Sequence, residues 1–388
     1  MLNKDANIRN LDTPPAEVSE IVSYTADRLE TAAGERIDRA AERFVSADGP
    51  GFSYLIAQEG KVLFRGAYGL ADIEQGIPIR PEDNFIIASN TKQFTCLAIL
   101  MLQGRGLLAF EDAVNKYFPD LPGYLEDITI RMLMQHTSGL PEYFDPAYLR
   151  EIDRFKTARP DDILEIVKAS DRPQFEPGTA FSYCNTAYVM LGEIVRMLTG
   201  KPFGEFVESE ILRPLGMDRS FAPDYMDQHD PFQVNGYIRD PETGLISKVP
   251  YDMLEIGYAD GNISSNVDDM LKWHRFLYGA EWSSGRSECG SAELAKLDFS
   301  EIFVPLTFKD GTRFPYGLGM MSGSIDDDHR TYRDKKELWH TGGTEGFISR
   351  ISYFPEEKVS AIFLTNLNGI KRDELFFSVL DAAFEEIV

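Results

Sequence analysis

Two pairs of β-rich runs frame this chain, one near each end. Phe52–Gln58 and Lys61–Tyr68 flank only Glu59 and Gly60, a hairpin signature in which glycine supplies the positive φ of a tight turn. Residues 346–354 and Val359–Thr365 repeat the pattern around Pro355, Glu356, Glu357 and Lys358. Outside these pairs the period changes to that of a helix. Residues 16–45 place Val18, Ile21, Val22, Ala26 and Leu29, then Ile37, Ala40, Ala41 and Phe44, at helical intervals with a break near Gly34, so two helices or one interrupted helix are expected. The C-terminal stretch aligns Leu375, Phe376, Val379, Leu380, Ala383, Phe384 and Ile387 on one side of an amphipathic helix.

From Ser89 to about Gly216 helical periodicity dominates, punctuated by Gly104, Pro122, Gly139, Pro160, Pro177 and Gly200. Strands early, helices in the middle and strands late predict an α/β (α+β) fold: an antiparallel sheet flanked by N- and C-terminal helices, with an inserted all-helical lobe. The expected division is a flexible lead-in (1–15), a sheet domain (16–88 and 217–388) and a helical domain (89–216), with a site in the cleft between lobes. Residues 282–291 read as a polar, serine-rich loop.

Composition narrows the possible partners. The 388 residues are 43% hydrophobic and carry a formal charge of -24, enough to bury one large core or two lobes and too acidic to favour nucleic acid or anionic membrane surfaces. No apolar run approaches the ~18 residues of a bilayer span. The first fifteen residues, MLNKDANIRNLDTPP, show no apolar stretch of the kind expected of a secretory signal. Three cysteines at unpatterned positions, Cys96, Cys184 and Cys289, suggest no disulfide framework. The expectation is a cytoplasmic protein, or a periplasmic or secreted one if a leader was removed.

Three short segments carry candidate chemistry. Ser89 precedes Lys92 by three residues, which on a helix starting near Ser89 puts hydroxyl and amine on one face with the positive helix end towards the reacting oxygen. Tyr183 and Asn185 follow the turn at Pro177 and Gly178 and precede a helical run, so both can project into one cavity. A phenol near cationic groups gives up its proton more easily and can exchange one with a serine. In Trp339, His340, Thr341, Gly342 and Gly343, paired glycines let a substrate approach a strand edge whose free N–H groups can hold an oxyanion.

In order and spacing these segments resemble the serine β-lactamase and penicillin-binding-protein superfamily, in the branch of class C β-lactamases, DD-carboxypeptidases, D-aminopeptidases and related esterases. The resemblance spans about 52–367 and includes Gln135-His136-Thr137-Ser138-Gly139-Leu140-Pro141 and Tyr316-Gly317-Leu318-Gly319-Met320. It implies a small-molecule acyl substrate, no cofactor, Ser89 as nucleophile, Lys92 as its proton-handling partner and Tyr183 as general base. It also implies Asn185 as the group binding a substrate amide carbonyl, and Thr341, Gly342 and Gly343 as the substrate-lining strand. The oxyanion would be held by the N–H groups of Ser89 and Gly343. His340, which the resemblance adds to the catalytic set, stands where many β-lactamases carry lysine, and a mostly neutral side chain there resembles the peptidase, amidase and esterase members more. The expected activity is hydrolysis of an amide or ester through an acyl-enzyme, most simply of a D-amino-acid peptide, amide or ester. The alternatives are a true β-lactamase, a noncatalytic binding or regulatory protein, and an acyltransferase. No segment is identified as supplying the separate deacylating glutamate of class A enzymes.

The remaining candidates read as scaffold. His136 is expected to order a turn, His274 to pack on a helix opened by Ser265 and Asp268 as a capping box, and Cys184 to point into the core. Asp326, Asp327, Asp328 and His329 read as a solvated acidic loop and not a metal site. Gly257–Ser265 (GYADGNISS) is a candidate cleft lining, and specificity is expected in loops 143–154 and 221–252.

Overall fold

The computed structural model describes residues 32–145, 159–224, 228–250, 257–282, 290–324 and 334–387. Its centre is a six-stranded antiparallel sheet. With strands β1 (Phe52–Gln58), β2 (Lys61–Tyr68), β3 (Met321–Ser324), β4 (Lys336–Thr344), β5 (Phe347–Phe354) and β6 (Val359–Thr365), the spatial order is β3-β4-β5-β6-β1-β2. Both expected hairpins are present, and the first turns through Glu59 (φ 47°) and Gly60 (φ 73°), the paired left-handed residues of a type I′ connection. The two ends of the chain meet where β1 pairs with β6, from Phe52 opposite Thr365 to Gln58 opposite Val359.

The central strands are buried on both faces, which is why they read as nearly continuous apolar runs. Phe52, Tyr54 and Ile56 face α1 (Ala32–Ala41) and α8 (Arg372–Ile387), together with Phe354, Ala361 and Phe363. Leu55 and Ala57 face the opposite way, with Ile351, Ile362 and Leu364, into the larger core. That core is continuous with α2 (Thr91–Gly104), α3 (Ile130–Met134), α5 (Asn185–Thr199), α6 (Phe203–Val207) and α7 (Val267–Tyr278), while α4 (Pro160–Lys168) lies against α5.

Three expectations change. α1 opens at Ala32 and holds Gly34 buried in its first turn, where docking of Ala33, Ile37, Ala40 and Ala41 against α8 offsets the ~1 kcal/mol cost of a helical glycine; the stretch that the expected break would separate from it lies outside the described residues. α2 starts at Thr91 and not at Ser89, because a short 3₁₀ turn, Ala88–Asn90, leads into it. The cap of α7 is Asn266, whose side chain accepts from the Asp269 N–H, while the Oγ of Ser265 is taken up by Ser220 at 2.7 Å. Within 221–252 there is a hairpin, Tyr237–Arg239 with Ile246–Lys248, joined by Leu367–Asn368, too short to show a period. Residues 16–31 and 283–289, Cys289 and the Asp326–His329 acidic run lie outside the described residues. Among those described, no helix is long and apolar enough to cross a membrane, and no His, Cys, Asp and Glu cluster could hold a metal ion.

The α8 face is expected to be sensitive to cavities. Phe376 is fully buried, meets Phe363 at 4.9 Å between ring centroids and lies 4.6 Å beneath the Arg350 guanidinium. Phe376→Ala is expected to cost about 3–5 kcal/mol, read as a lowered urea midpoint with little change in slope.

Candidate active site

The site is built where the 3₁₀ turn, the start of α5, the 257–262 loop and β4 converge. Ala88 leads the turn in the left-handed region (φ 48°), a conformation a non-glycine residue holds only when its surroundings dictate it. They do. The Ile87 N–H donates to the Ile263 carbonyl at 2.9 Å, and the Ile87 carbonyl accepts from Ser349 Oγ on β5 at 2.8 Å. Ser349 in turn accepts from Asn90 Nδ2 (2.9 Å), whose Oδ1 accepts from Gln93 Nε2 (3.0 Å), whose Oε1 accepts from Trp273 Nε1 (2.9 Å). This one-directional chain of buried bonds fastens the turn to β5 on one side and to α7 on the other. A partly exposed Ser89 results.

Lys92, in the first turn of α2, is 0% exposed. Its Nζ donates to Ser89 Oγ (3.1 Å), Asn185 Oδ1 (2.8 Å) and the Asp260 carbonyl (2.7 Å). All three ammonium hydrogens therefore have acceptors, the condition for tolerating a buried charge. Two aromatic faces complete its enclosure, with Nζ 4.9 Å from the Tyr183 ring centroid and 5.2 Å from that of Tyr188. Asn185 is the first residue of α5, and its backbone N–H and Nδ2 both donate to Glu142 Oε2, at 2.6 and 3.3 Å. Burial pushes the Glu142 carboxyl up, against the pull of the N–H groups of Phe144 and Asn185.

Tyr183 is 36% exposed and packs on His136 at a tilt of 31°, with ring centroids 4.2 Å apart. His136 itself is buried with φ 57°. The Cys184 N–H donates to its Nδ1 at 2.9 Å, so the proton belongs on Nε2, 3.0 Å from the Tyr316 hydroxyl. Tyr316 lies 3.4 Å from His340 Nε2, and His340 Nδ1 lies 2.6 Å from the Thr341 carbonyl, which can only accept. The column therefore has one consistent proton arrangement, set by a backbone N–H at one end and a backbone C=O at the other. Burial and the Lys92 charge hold both imidazoles neutral: His340 is pushed down to about 3 and His136 well below its ordinary value. Cys184 is buried and its thiol pushed up to about 12 by desolvation.

On β4, register sorts the third segment. His340 and Gly342 share a face with Ile351 and Ser349, whereas Thr341 and Gly343 share the opposite face with Arg350 and Ile348. A Cβ on Gly342 would fall 2.2 Å from the Ile87 carbonyl and 2.4 Å from Ser349 Oγ, so glycine is what lets the strand lie directly on the Ser89 turn. Around Gly343 there is open space. β4 is not an outer strand, yet β3 pairs with it only from Lys336 to Trp339, and His340–Thr344 runs past its end.

Ser89, Lys92, Tyr183, Asn185, His340 and Gly342 are thus brought to one place; Thr341 contributes its carbonyl to His340, and Gly343 follows on β4 facing the other way. Not singled out from sequence were Glu142, Asp260, Asn90, Ser349 and the bridging place of Tyr316. Glu142 directly follows the 135–141 segment and Asp260 lies in the 257–265 segment, but nothing in either stretch shows which side chains turn towards Lys92.

The chain belongs to the Beta-lactamase family, whose model matches residues 27–383. It is 27% identical over 329 residues to penicillin-binding protein 4* of Bacillus subtilis, covering 80% of this chain and 67% of that one. It is 27% identical over 333 residues to a D-aminopeptidase of Cereibacter sphaeroides, covering 86% of this chain but 60% of that protein. The chain thus spans about two-thirds or less of these relatives' lengths. The structure of D-amino acid amidase from Ochrobactrum anthropi SV3 complexed with D-phenylalanine superposes with a TM-score of 0.72 at 22% identity, covering 92% of this chain and all of that one, and shows the same fold.

Two outcomes follow. Gly342→Ala is expected to destabilise the fold by about 1–3 kcal/mol through overpacking and to lower Ser89 reactivity, checked by thermal melting and by labelling with a fluorophosphonate. His340 protonates near 6.5 when unfolded but only near 3 when folded. The unfolded chain therefore binds more protons below about 6.5, and stability is lost as pH falls from there towards 3. His340→Gln should reduce the loss between pH 6.5 and 4.5 by about 2 kcal/mol, measured by urea melts at each pH.

Proposed function

We propose that the protein is a serine hydrolase that cleaves an amide or ester through an acyl-enzyme, with D-amino-acid peptides, amides or esters as its substrate class. The observation that carries this reading is the Lys92 ammonium, completely buried and hydrogen-bonded to Ser89 Oγ at 3.1 Å beside an accessible phenol. Ser89 Oγ attacks the acyl carbon while its proton passes to Tyr183. The phenol then protonates the departing amine or alcohol as the acyl–leaving-group bond breaks. Water then gives its proton to the phenolate that this transfer leaves and attacks the acyl carbon; the acid departs as the acyl–Ser89 Oγ bond breaks and Ser89 Oγ takes that proton back from Tyr183. The oxyanion is held by the N–H groups of Ser89 and Gly343, each donor worth about 3 kcal/mol in the transition state. Asn185 keeps one Nδ2 hydrogen for a substrate carbonyl after giving the other to Glu142.

His340 supports the peptidase, amidase and esterase side of the family over the β-lactamase side. Held neutral, it supplies no cation for a β-lactam carboxylate. Relatives named as a D-aminopeptidase and a D-amino acid amidase agree with this substrate class.

The test is a panel of D-amino-acid amides, D-alanyl-D-alanine peptides, short-chain nitrophenyl esters and cephalosporins, assayed with wild type and Ser89→Ala. The expected result is turnover of amides or esters, abolished at least a thousandfold in Ser89→Ala, with cephalosporins the poorest substrates. Cephalosporins as the best substrates would move the protein to the β-lactamases. A folded wild type that neither turns over any of these nor labels with a fluorophosphonate would make it a noncatalytic relative.

A further inference from the structure

Lys92 depends on two acceptors besides the serine, and both trace back to one dipeptide. Asn185 Oδ1 faces Lys92 because its amide is oriented from the other side: Glu142 Oε2 accepts from Nδ2 (3.3 Å) and from the same residue's backbone N–H (2.6 Å). Glu142 Oε1 is itself fixed by the Phe144 N–H at 3.0 Å, and its carboxyl lies against the first N–H of α5. The second acceptor, the Asp260 carbonyl, is placed by its own side chain. Asp260 Oδ2 accepts from the Tyr143 hydroxyl at 2.8 Å and Oδ1 from the Tyr258 N–H at 2.8 Å. The Tyr143 N–H also donates to Thr186 Oγ1 at 3.0 Å, tying the dipeptide to the first turn of α5.

We propose that Glu142 and Tyr143 are paired positioning residues that aim the two acceptors of Lys92, Asn185 Oδ1 and the Asp260 carbonyl, and so hold its ammonium on Ser89. This rests on the function proposed above. Neither side chain is assigned to the reacting atoms. Without Glu142 the Asn185 amide can rotate and present Nδ2 to the ammonium, a donor facing a donor. Without the Tyr143 hydroxyl, Asp260 Oδ2 loses its partner and the 257–262 loop loses its tie to the dipeptide. In either case Lys92 Nζ loses its aim at Ser89, which affects acylation more than substrate capture.

The experiment compares Glu142→Gln, Tyr143→Phe, Asn185→Ala and the Glu142→Gln/Asn185→Ala double variant. Each is assayed on the best ester of the panel, with rates normalised to fluorophosphonate-titrated sites so that loss of folded protein does not count. The expected result for each single variant of the dipeptide is a kcat ten- to a hundredfold lower with KM changed less than threefold. The double variant should be no slower than Asn185→Ala, because Glu142 acts through that amide. Tyr143→Phe removes a single oxygen and serves if Glu142→Gln fails to fold. A per-site kcat within twofold of wild type for the folded dipeptide variants would overturn the inference while leaving the serine mechanism intact. An equal extra loss from Glu142→Gln in the Asn185→Ala background would likewise show that Glu142 does not act through Asn185. A wild type that neither labels nor turns over would overturn the mechanism and this inference together.

Discussion

The constraint on which the site depends is the burial of one ammonium group. Lys92 is withdrawn from solvent, and an unpaired charge there would cost several kcal/mol. The fold satisfies it with acceptors from three distant places in the chain: the turn before α2, the first residue of α5 and the carbonyl of Asp260. Wherever the ammonium is satisfied, the serine, the amide and the loop carbonyl must lie within about 3 Å of one point, so the solution to a solvation problem is also the assembly of a nucleophile.

A second constraint is the neutral column beside it. His136, Tyr316 and His340 are buried and linked, and Tyr183 rests on the first of them. Because the Cys184 N–H and the Thr341 carbonyl fix the ends, the column is ordered without ionising. Neither imidazole therefore adds a second cation beside Lys92. Two like charges in so small a volume would compete for the same solvation, and a neutral His340 leaves the attraction of the site for a developing oxyanion to Lys92 and the backbone.

Third is the way the nucleophile is held. Ala88 is in a left-handed conformation that would relax in an isolated peptide. Ser349 and Asn90 below it, Ile263 beside it and Gly342 against it leave no room to do so. The glycine on β4 is thus as much part of the nucleophile's geometry as the residues flanking Ser89, which explains why a strand so far along the sequence belongs to the same site.

Much of the frame was legible because it is periodic. The hairpins around Glu59-Gly60 and 355–358 and the apolar side of α8 are local patterns, and burial on both faces follows from the runs themselves. Ser89, Lys92, Tyr183, Asn185 and the 340–343 segment were recognisable as motifs in order. Where the reading slipped, a contact was missing from view: Ser265 is withdrawn from capping by Ser220, and Asn266 caps α7 instead. Glu142 and Asp260 were invisible as partners of Lys92 because their orientation is set by contacts between segments 43 and 117 residues apart. By itself the sequence determined which stretches become strands and helices, since backbone preference and apolar spacing act over a few residues. Only the tertiary structure decided which polar atoms share the buried ammonium, because hydrogen bonds across 43, 93 and 168 residues exist only once the core has closed.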